Sequence, residues 1–229
     1  MNVLVVAAHP DDEVLGCGGT MARHARAGDR VTVLILGEGA TSRHATREAT
    51  DATVLQNLAD DARRANGLLG VDPASGVRFG GLPDNRFDTL ALLDVVKLVE
   101  STIADAQPAI VYTQHGGDLN IDHVVTFRAV LTATRPMAGS SVREVLAYEV
   151  ASSSEWAFNQ FAPAFRPSVF IDISDHLEQK VSAMAAYTSE ARPWPHPRSP
   201  EALTAIARRH GSTVGVHAAE AFQPVRIIR

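Results

Sequence analysis

Short, continuous apolar runs recur along the chain and indicate buried strands. Residues 2–8, 31–36 and 109–113 are rich in β-branched side chains, with few polar interruptions. A run of this kind is typical of a strand that is covered on both faces, as in a parallel sheet. Residues 20–27 have a helical pattern and lie between the first two runs, so the first 36 residues predict a strand–helix–strand unit.

Longer segments repeat their apolar residues every three or four positions, which is the spacing of a helix buried along one face. Residues 53–69 show this pattern and end at Gly70, a residue type that favours helix ends. The remaining predicted elements are strands at 77–79, 145–149 and 168–173 and helices at 89–106, 123–134, 175–187 and 200–209. This alternation predicts an α/β fold with one Rossmann-like, mostly parallel sheet flanked by helices, in a single domain over residues 1–229.

Charge and composition exclude several classes of protein. The 21 Lys and Arg against 26 Asp and Glu leave a net charge of −5, which weighs against a nucleic-acid partner. No apolar run approaches the roughly 18 residues of a membrane span, and no basic segment precedes the first run as in a secretory leader. Cys17 is the single cysteine, so no disulfide within the chain is expected. These features predict a cytoplasmic protein and leave a homo-oligomer open.

Polar side chains cluster directly after two of the predicted strands. The first cluster follows strand 2–8 and contains His9, Asp11, Asp12 and Glu13. The second follows strand 109–113 and contains His115, Asp118, Asn120, Asp122 and His123. Because the carboxyl ends of parallel strands meet along one edge of a sheet, we expect the two clusters to line one crevice.

The residue types of the two clusters suit a catalytic zinc site. Imidazole nitrogens and carboxylate oxygens are ordinary zinc ligands, and three of them with one water form a hydrolytic centre. His9, either Asp11 or Asp12, and a histidine of the second cluster would supply the ligands. The remaining aspartate would accept a proton from the water. A helix N-terminus also favours acidic residues, but a histidine directly before them and a second His/Asp cluster favour the metal site.

Residues 8–13, AHPDDE, followed by GCGGT at 16–20, resemble the signature of the PIG-L/LmbE-like zinc-dependent N-deacetylases. Residues 115–123, HGGDLNIDH, are similar to one variant of the family's second motif, and GVHAAEAF at 215–222 is similar to a further element. The resemblance extends from residue 3 to residue 222. It implies a hydrolase that removes the N-acetyl group from an N-acetylglucosamine-type amino sugar, a small molecule carried in a conjugate or a biosynthetic intermediate.

The family pattern also implies roles for single residues. It assigns zinc to His9, Asp12 and His123 and makes Asp11 the general base that activates a zinc-bound water. Fe²⁺ is an alternative to Zn²⁺, because a set of two histidines and one aspartate suits both ions. Independently of the family, a carboxylate beside a metal-binding histidine commonly orients the ring, so Asp122, which directly precedes His123, is predicted to hold a histidine in its working orientation.

One position departs from the best-known members of the family. Many of them have a histidine where this chain has Asn120, and that histidine is thought to stabilise the oxyanion or to protonate the leaving amine. The Asn120 amide can donate a hydrogen bond to an oxyanion but cannot deliver a proton. The source of that proton stays open among Asp11, His115 and His217.

Residues predicted to contact the substrate are Arg43, Asp84, His115 and Asp118. Aromatic residues of the C-terminal third, Trp156 among them, could wall a sugar pocket or pack in the core. The proline-rich segment 192–198 predicts an extended surface loop. Two other functions remain alternatives: hydrolysis of a different amide in a natural-product intermediate, and non-catalytic sugar binding.

Overall fold

In the computed structural model, which describes residues 1–229, seven strands form one sheet. They are β1 (Asn2–Ala7), β2 (Arg30–Gly37), β3 (Val77–Leu82), β4 (Ile110–Gln114), β5 (Glu144–Tyr148), β6 (Val169–Asp172) and β7 (Ala219–Ile227). Their order across the sheet is β3-β2-β1-β4-β5-β7-β6. Strands β1 to β5 are parallel, whereas β7 is antiparallel to both of its neighbours. The predicted Rossmann-like, mostly parallel α/β sheet is therefore confirmed.

Six α-helices cover the two faces of this sheet. They are α1 (Asp12–Arg26), α2 (Ala52–Leu68), α3 (Leu92–Ala106), α4 (Ile121–Ala133), α5 (Leu177–Ala186) and α6 (Pro200–Val214). Val3 and Val5 of β1 pack with α1, α2 and α5, whereas Leu4 and Val6 pack with α3 and α4. Both faces of β1 are thus buried, which is why its apolar residues form an unbroken run. None of the helices has the length and apolar character that crossing a bilayer requires.

Helix α1 begins at Asp12, earlier than the predicted start at residue 20. The glycine-rich stretch that obscures this start belongs to the helix, with a kink at Cys17 where the backbone leaves helical geometry. A Cβ atom on Gly16 would overlap the ring of Tyr148, so glycine is needed for the helix to pack directly on β5. The early start places Asp12 in the first turn of the helix, at the carboxyl end of β1.

Strand β7 is missing from the predicted elements because Glu220 and Pro224 break its apolar pattern. Glu220 is nevertheless buried. Its carboxylate accepts hydrogen bonds from the backbone N–H groups of Gly19 and Thr20 and from Nζ of Lys180 at 2.6 Å. A paired and hydrogen-bonded carboxylate thus occupies an interior position where a sequence pattern leads one to expect an apolar side chain.

Candidate active site

A polar cavity opens at the carboxyl ends of β1 and β4, where the two predicted clusters meet. Its volume is about 320 Å³, at the lower end of the range for small-molecule sites. Loops that follow β2, β3 and β5, and the loop before α6, complete its wall. The predicted site residues that line it are His9, Asp11, Asp12, Arg43, Asp84, Asn120 and His123. The fold therefore brings the two clusters into one crevice.

His9, Asp12 and His123 form a buried set of three donors, called the ligand set below. One candidate ligand atom from each residue lies within 4.8 Å of the others. Nδ1 of His9 is 3.5 Å, and Nε2 of His123 is 3.3 Å, from Oδ2 of Asp12. Both ring nitrogens of His123 are buried without a hydrogen-bond partner, although buried polar atoms are normally satisfied. A divalent ion such as Zn²⁺ or Fe²⁺ fits this set of nitrogen and oxygen donors.

Each histidine of the ligand set also faces a carboxylate on its other side. Nε2 of His9 is hydrogen-bonded to Oδ2 of Asp122 at 2.9 Å and lies 3.2 Å from Oδ1 of Asp84. Nδ1 of His123 lies 3.2 Å from Oδ1 of Asp118, without the alignment of a hydrogen bond. Histidines that bind metals usually present their second ring nitrogen to such a group, which orients the ring. The histidine that Asp122 contacts is thus His9, from the other cluster.

Asp118 and Asp84, both predicted to contact the substrate, have partners within the chain. Asp118 lies behind His123, outside the cavity lining, and its carboxylate accepts hydrogen bonds from two serine hydroxyls. Asp84 does line the cavity, but its Oδ2 accepts hydrogen bonds from the N–H and the hydroxyl of Ser42. The two carboxylates therefore join neighbouring loops to the ligand set.

Charges around the ligand set shift its pKa values strongly. Burial lowers the pKa of His9, but the surrounding carboxylates, above all that of Asp12, outweigh burial and raise it to about 10. Burial also lowers the pKa of His123, and Asp12 and Asp118 raise it to about 9. Burial raises the pKa of Asp12, but the two histidines hold it well below its usual range. Without a metal, both histidines therefore carry an extra proton at neutral pH.

Metal binding is expected to release about two protons per chain at pH 7, because each histidine must lose one ring proton to become a ligand. Titration calorimetry of Zn²⁺ into the metal-free protein, repeated in buffers of different ionisation enthalpy, measures this number. Since the pKa values of both histidines are raised, the affinity for Zn²⁺ should fall as the pH is lowered. A binding enthalpy that is the same in all buffers would contradict protonated histidines.

Asp11 stands beside the ligand set in a constrained backbone conformation. Its φ of 103° lies in the left-handed region, which is rare for residues with a side chain, and its N–H donates to Oε2 of Glu13 at 3.1 Å. Its carboxylate is buried, and Oδ2 accepts a hydrogen bond from Nη1 of Arg198 at 2.6 Å. Burial raises the pKa of Asp11, and the Arg198 guanidinium opposes that shift. A carboxylate in this position can exchange a proton with a molecule in the cavity.

Glu13 supports the backbone of Asp11 from the interior, and sequence reasoning assigned it no role. Its side chain is fully buried. Besides the N–H of Asp11, it accepts hydrogen bonds from Nδ2 of Asn66 at 2.9 Å and from the hydroxyl of Tyr187 at 2.5 Å. Burial raises the pKa of Glu13 to about 7, and these donors limit the rise. Glu13 therefore ties α1 to α2 and to the segment after α5.

At a pH of about 8.5, where Glu13 is ionised, Tyr187→Phe is expected to lower the free energy of unfolding by about 2 kcal/mol, because the buried Glu13 carboxylate loses a hydrogen bond. Urea denaturation of the metal-free protein measures the change. Tyr148→Phe is the matched control. Its buried hydroxyl donates to the neutral carbonyl of Val6 at 3.0 Å, so a loss of about 1 kcal/mol is expected. Equal losses in the two variants would argue against a special contribution from the Glu13 contact.

Asn120 lines the cavity, whereas two predicted histidines lie elsewhere. Oδ1 of Asn120 accepts a hydrogen bond from the N–H of Asp122 at 2.9 Å and caps α4, while its Nδ2 has no partner within the chain. His115 is outside the cavity lining, with Nε2 hydrogen-bonded to the carbonyl of Pro163 at 2.7 Å. His217 lines a separate cavity beside α5 and α6. The structure therefore brings neither histidine to the ligand set.

Charged residues of the C-terminal third reach the cavity, and no motif marks them in the sequence. Arg198 and Glu190 lie in the loop before α6, and Arg43 joins them from the loop after β2. Glu190 accepts hydrogen bonds from Arg43 at 2.5 Å and from Arg198 at 3.2 Å. Trp156 also lines the cavity. The proline-rich segment 192–198 is the one sequence signal for this region, and it contributes to the cavity wall.

Asp122→Asn is expected to weaken Zn²⁺ binding by about 10- to 100-fold, because the amide is a poorer partner for Nε2 of His9. A titration against a competing chelator measures the affinity. Asp94→Asn makes the same exchange at an exposed position in the first turn of α3 and should leave the affinity unchanged. Wild-type affinity in the Asp122 variant would mean that His9 keeps its orientation without this carboxylate.

Comparison with known proteins identifies relatives of this chain. Residues 4–134 match the family described as PIG-L: GlcNAc-PI de-N-acetylase. A 1D-myo-inositol 2-acetamido-2-deoxy-alpha-D-glucopyranoside deacetylase of Actinosynnema mirum is 30% identical, with 84% of this chain and 82% of that protein covered. The uncharacterized deacetylase YaiS of Escherichia coli K12 is 27% identical, with 82% of this chain and 91% of that protein covered.

The fold is also shared with solved structures. The conserved protein TT1542 of Thermus thermophilus matches with a TM-score of 0.76 and 24% identity, covering 100% of this chain and 97% of that protein. The shared architecture therefore includes the C-terminal third of the chain, which lies beyond the segment matched by the family.

Proposed function

Because the chain belongs to the PIG-L family of GlcNAc-PI de-N-acetylases, we propose that it removes the N-acetyl group from an N-acetylglucosamine-type amino sugar in a conjugate or biosynthetic intermediate. The relative from Actinosynnema mirum is named for deacetylation of an inositol glycoside of such a sugar. The cavity lining is almost entirely polar or charged, which suits a ligand rich in hydroxyl groups.

One observation carries the proposal: Asp11 and the ligand set of His9, Asp12 and His123 stand in the wall of the same cavity. His9, Asp12 and His123 would hold the metal ion, Zn²⁺ or Fe²⁺. Bound there, the ion would polarise the acetamide carbonyl and lower the pKa of a water molecule at the site. The chain supplies the ligands, the carboxylates that orient them and the acid–base group.

Asp11 is assigned as the general base and, once protonated, as the general acid. Its carboxylate accepts a proton from water while the water oxygen bonds to the acetamide carbon. The same proton then passes to the sugar nitrogen as the C–N bond breaks, so that a free amine and acetic acid leave, and the acid loses its remaining proton to solvent to become acetate. His115 and His217 stand outside the cavity, which favours Asp11 as the proton donor. Nδ2 of Asn120 is free to donate a hydrogen bond to the oxyanion.

Acetate release from a panel of N-acetylglucosamine conjugates tests the proposal. Metal-replete protein is incubated with inositol glycosides, nucleotide sugars and antibiotic-type pseudo-oligosaccharides, and acetate and free amine are measured together. The expected result is one acetate per free amine from at least one conjugate. If no member of the panel yields acetate, the proposal fails.

The same panel separates the two alternative functions. Release of ammonia, or of an acid other than acetate, would indicate hydrolysis of a different amide. Binding of a conjugate without any turnover, by protein that carries its metal, would indicate a sugar-binding module.

A further inference from the structure

We propose that Arg198 is a positioning residue, which holds the Asp11 carboxylate beside the ligand set and keeps it from becoming a metal ligand itself. The inference rests on the proposed function of Asp11 as the base. Nη1 of Arg198 lies 2.6 Å from Oδ2 of Asp11. Arg198 stands in the C-terminal third of the chain, outside the segment 4–134 that matches the family.

Arg198 is itself held from several sides. Nε donates to the hydroxyl of Ser152 at 2.8 Å, and Nη1 also donates to Oε2 of Glu190 at 3.2 Å. Its backbone N–H donates to Nδ1 of His196 at 3.1 Å. The side chain is 23% exposed. A planar guanidinium with this many partners has one preferred orientation, so it can fix the orientation of the carboxylate that it contacts.

The two carboxylate oxygens of Asp11 have different surroundings. Oδ2 is bound to Arg198, whereas Oδ1 makes no hydrogen bond within the chain. Asp11 directly precedes Asp12 and lines the same cavity. A divalent ion attracts nearby carboxylates, and a fourth protein ligand would close the open position that a hydrolytic centre needs. The positive charge of Arg198 competes with the metal ion for Oδ2 of Asp11. Oδ1 is then left to accept the proton from water.

The negative charges around Asp11 make a positively charged partner necessary. Its side chain is 2% exposed, and the carboxylates of Asp12, Glu13 and Glu190 all lie close to it. A buried carboxylate is costly unless it is paired and hydrogen-bonded. Arg198 is the cation in direct contact with Asp11, whereas the neighbouring Arg43 pairs with Glu190.

Arg198→Ala is expected to lower kcat by about 10²-fold and to change KM by less than about threefold, the effect of misplacing a catalytic group by about 1 Å. Added guanidinium ion should restore part of the kcat, which a merely structural role would not allow. Arg198→Lys keeps the charge without the planar fork, so an intermediate kcat is expected. Arg78→Ala is the matched control, since it breaks an exposed arginine–aspartate pair of 2.8 Å outside the cavity and should keep the wild-type kcat.

A second measurement does not depend on activity. Co²⁺ is bound in place of the native metal, and its visible absorption reports the number of ligands. We expect Arg198→Ala to change the Co²⁺ spectrum, because the freed Asp11 joins the ligands, and we expect the double variant Arg198→Ala/Asp11→Asn to restore it. Circular dichroism checks folding, and Arg198→Lys replaces Arg198→Ala in both measurements if the alanine variant unfolds.

A wild-type spectrum together with a wild-type kcat in the folded variant would overturn the inference. Failure of the proposed function has a different signature, because wild-type protein would then release no acetate. In that case the Co²⁺ spectra still decide whether Arg198 keeps Asp11 away from the metal.

Discussion

Asp11→Asn is expected to lower the rate of acetate release by about 10³-fold, because the amide has the shape of the carboxylate but cannot accept a proton. The side-chain oxygen of asparagine can still accept the hydrogen bond of Arg198, so the local structure should persist. The metal content should stay at the wild-type level, since the ligand set is unchanged. Steady-state kinetics and metal analysis of the same sample measure both quantities.

A matched exchange outside the cavity controls for the loss of one negative charge. Asp88 is exposed in the segment between β3 and α3, and Asp88→Asn should keep the wild-type rate. A rate for Asp11→Asn within about tenfold of the wild type would be too small an effect for loss of the general base. The proton would then have to be accepted by another group.

His123→Ala is expected to weaken metal binding by roughly 10²-fold or more and to abolish acetate release. The free energy of zinc binding in a tight site with four ligands is about 10–16 kcal/mol, so one ligand accounts for roughly 3 kcal/mol of it. Metal analysis after dialysis and a chelator titration measure the loss. Treatment of the wild-type protein with EDTA should remove its activity in the same way, and added Zn²⁺ should restore it.

His44→Ala is the control for this exchange, because His44 is exposed in the loop after β2. It should keep both the metal and the rate. Full metal content in His123→Ala would contradict the ligand set. It would point instead to the other buried group of three candidate ligands, formed by His9, Asp84 and Asp122.

The order of strands and helices could be predicted because parallel strands covered on both faces must be apolar throughout. β1 is such a strand, with α1 on one side and α3 on the other. β7 could not be predicted, because Glu220 is satisfied by Lys180 and by backbone groups near residue 19, which are distant in sequence. A buried carboxylate with such partners looks like a surface residue when only its neighbours in the chain are known.

The candidate site also has a part that the sequence predicted and a part that it did not. The family inferred from AHPDDE and from the second motif is confirmed by the match over residues 4–134. Both motifs follow strands that pair directly in the sheet, so the structure brings His9, Asp12 and His123 together. His217 belongs to the third similar segment, yet it lies at another cavity beside α5 and α6, although β7 begins at the edge of the sheet where β5 ends.

Local patterns determined which residue types stand at the ends of β1 and β4, because strand and helix periods are properties of neighbouring residues. The motifs that mark the family are local patterns of the same kind. Only the tertiary structure decided that Asp122 is hydrogen-bonded to His9 and not to the adjacent His123, and that Arg198 contacts Asp11. These pairs join residues 113 and 187 positions apart. Their contacts depend on how strands and loops pack across the sheet, and no local pattern of the sequence specifies that.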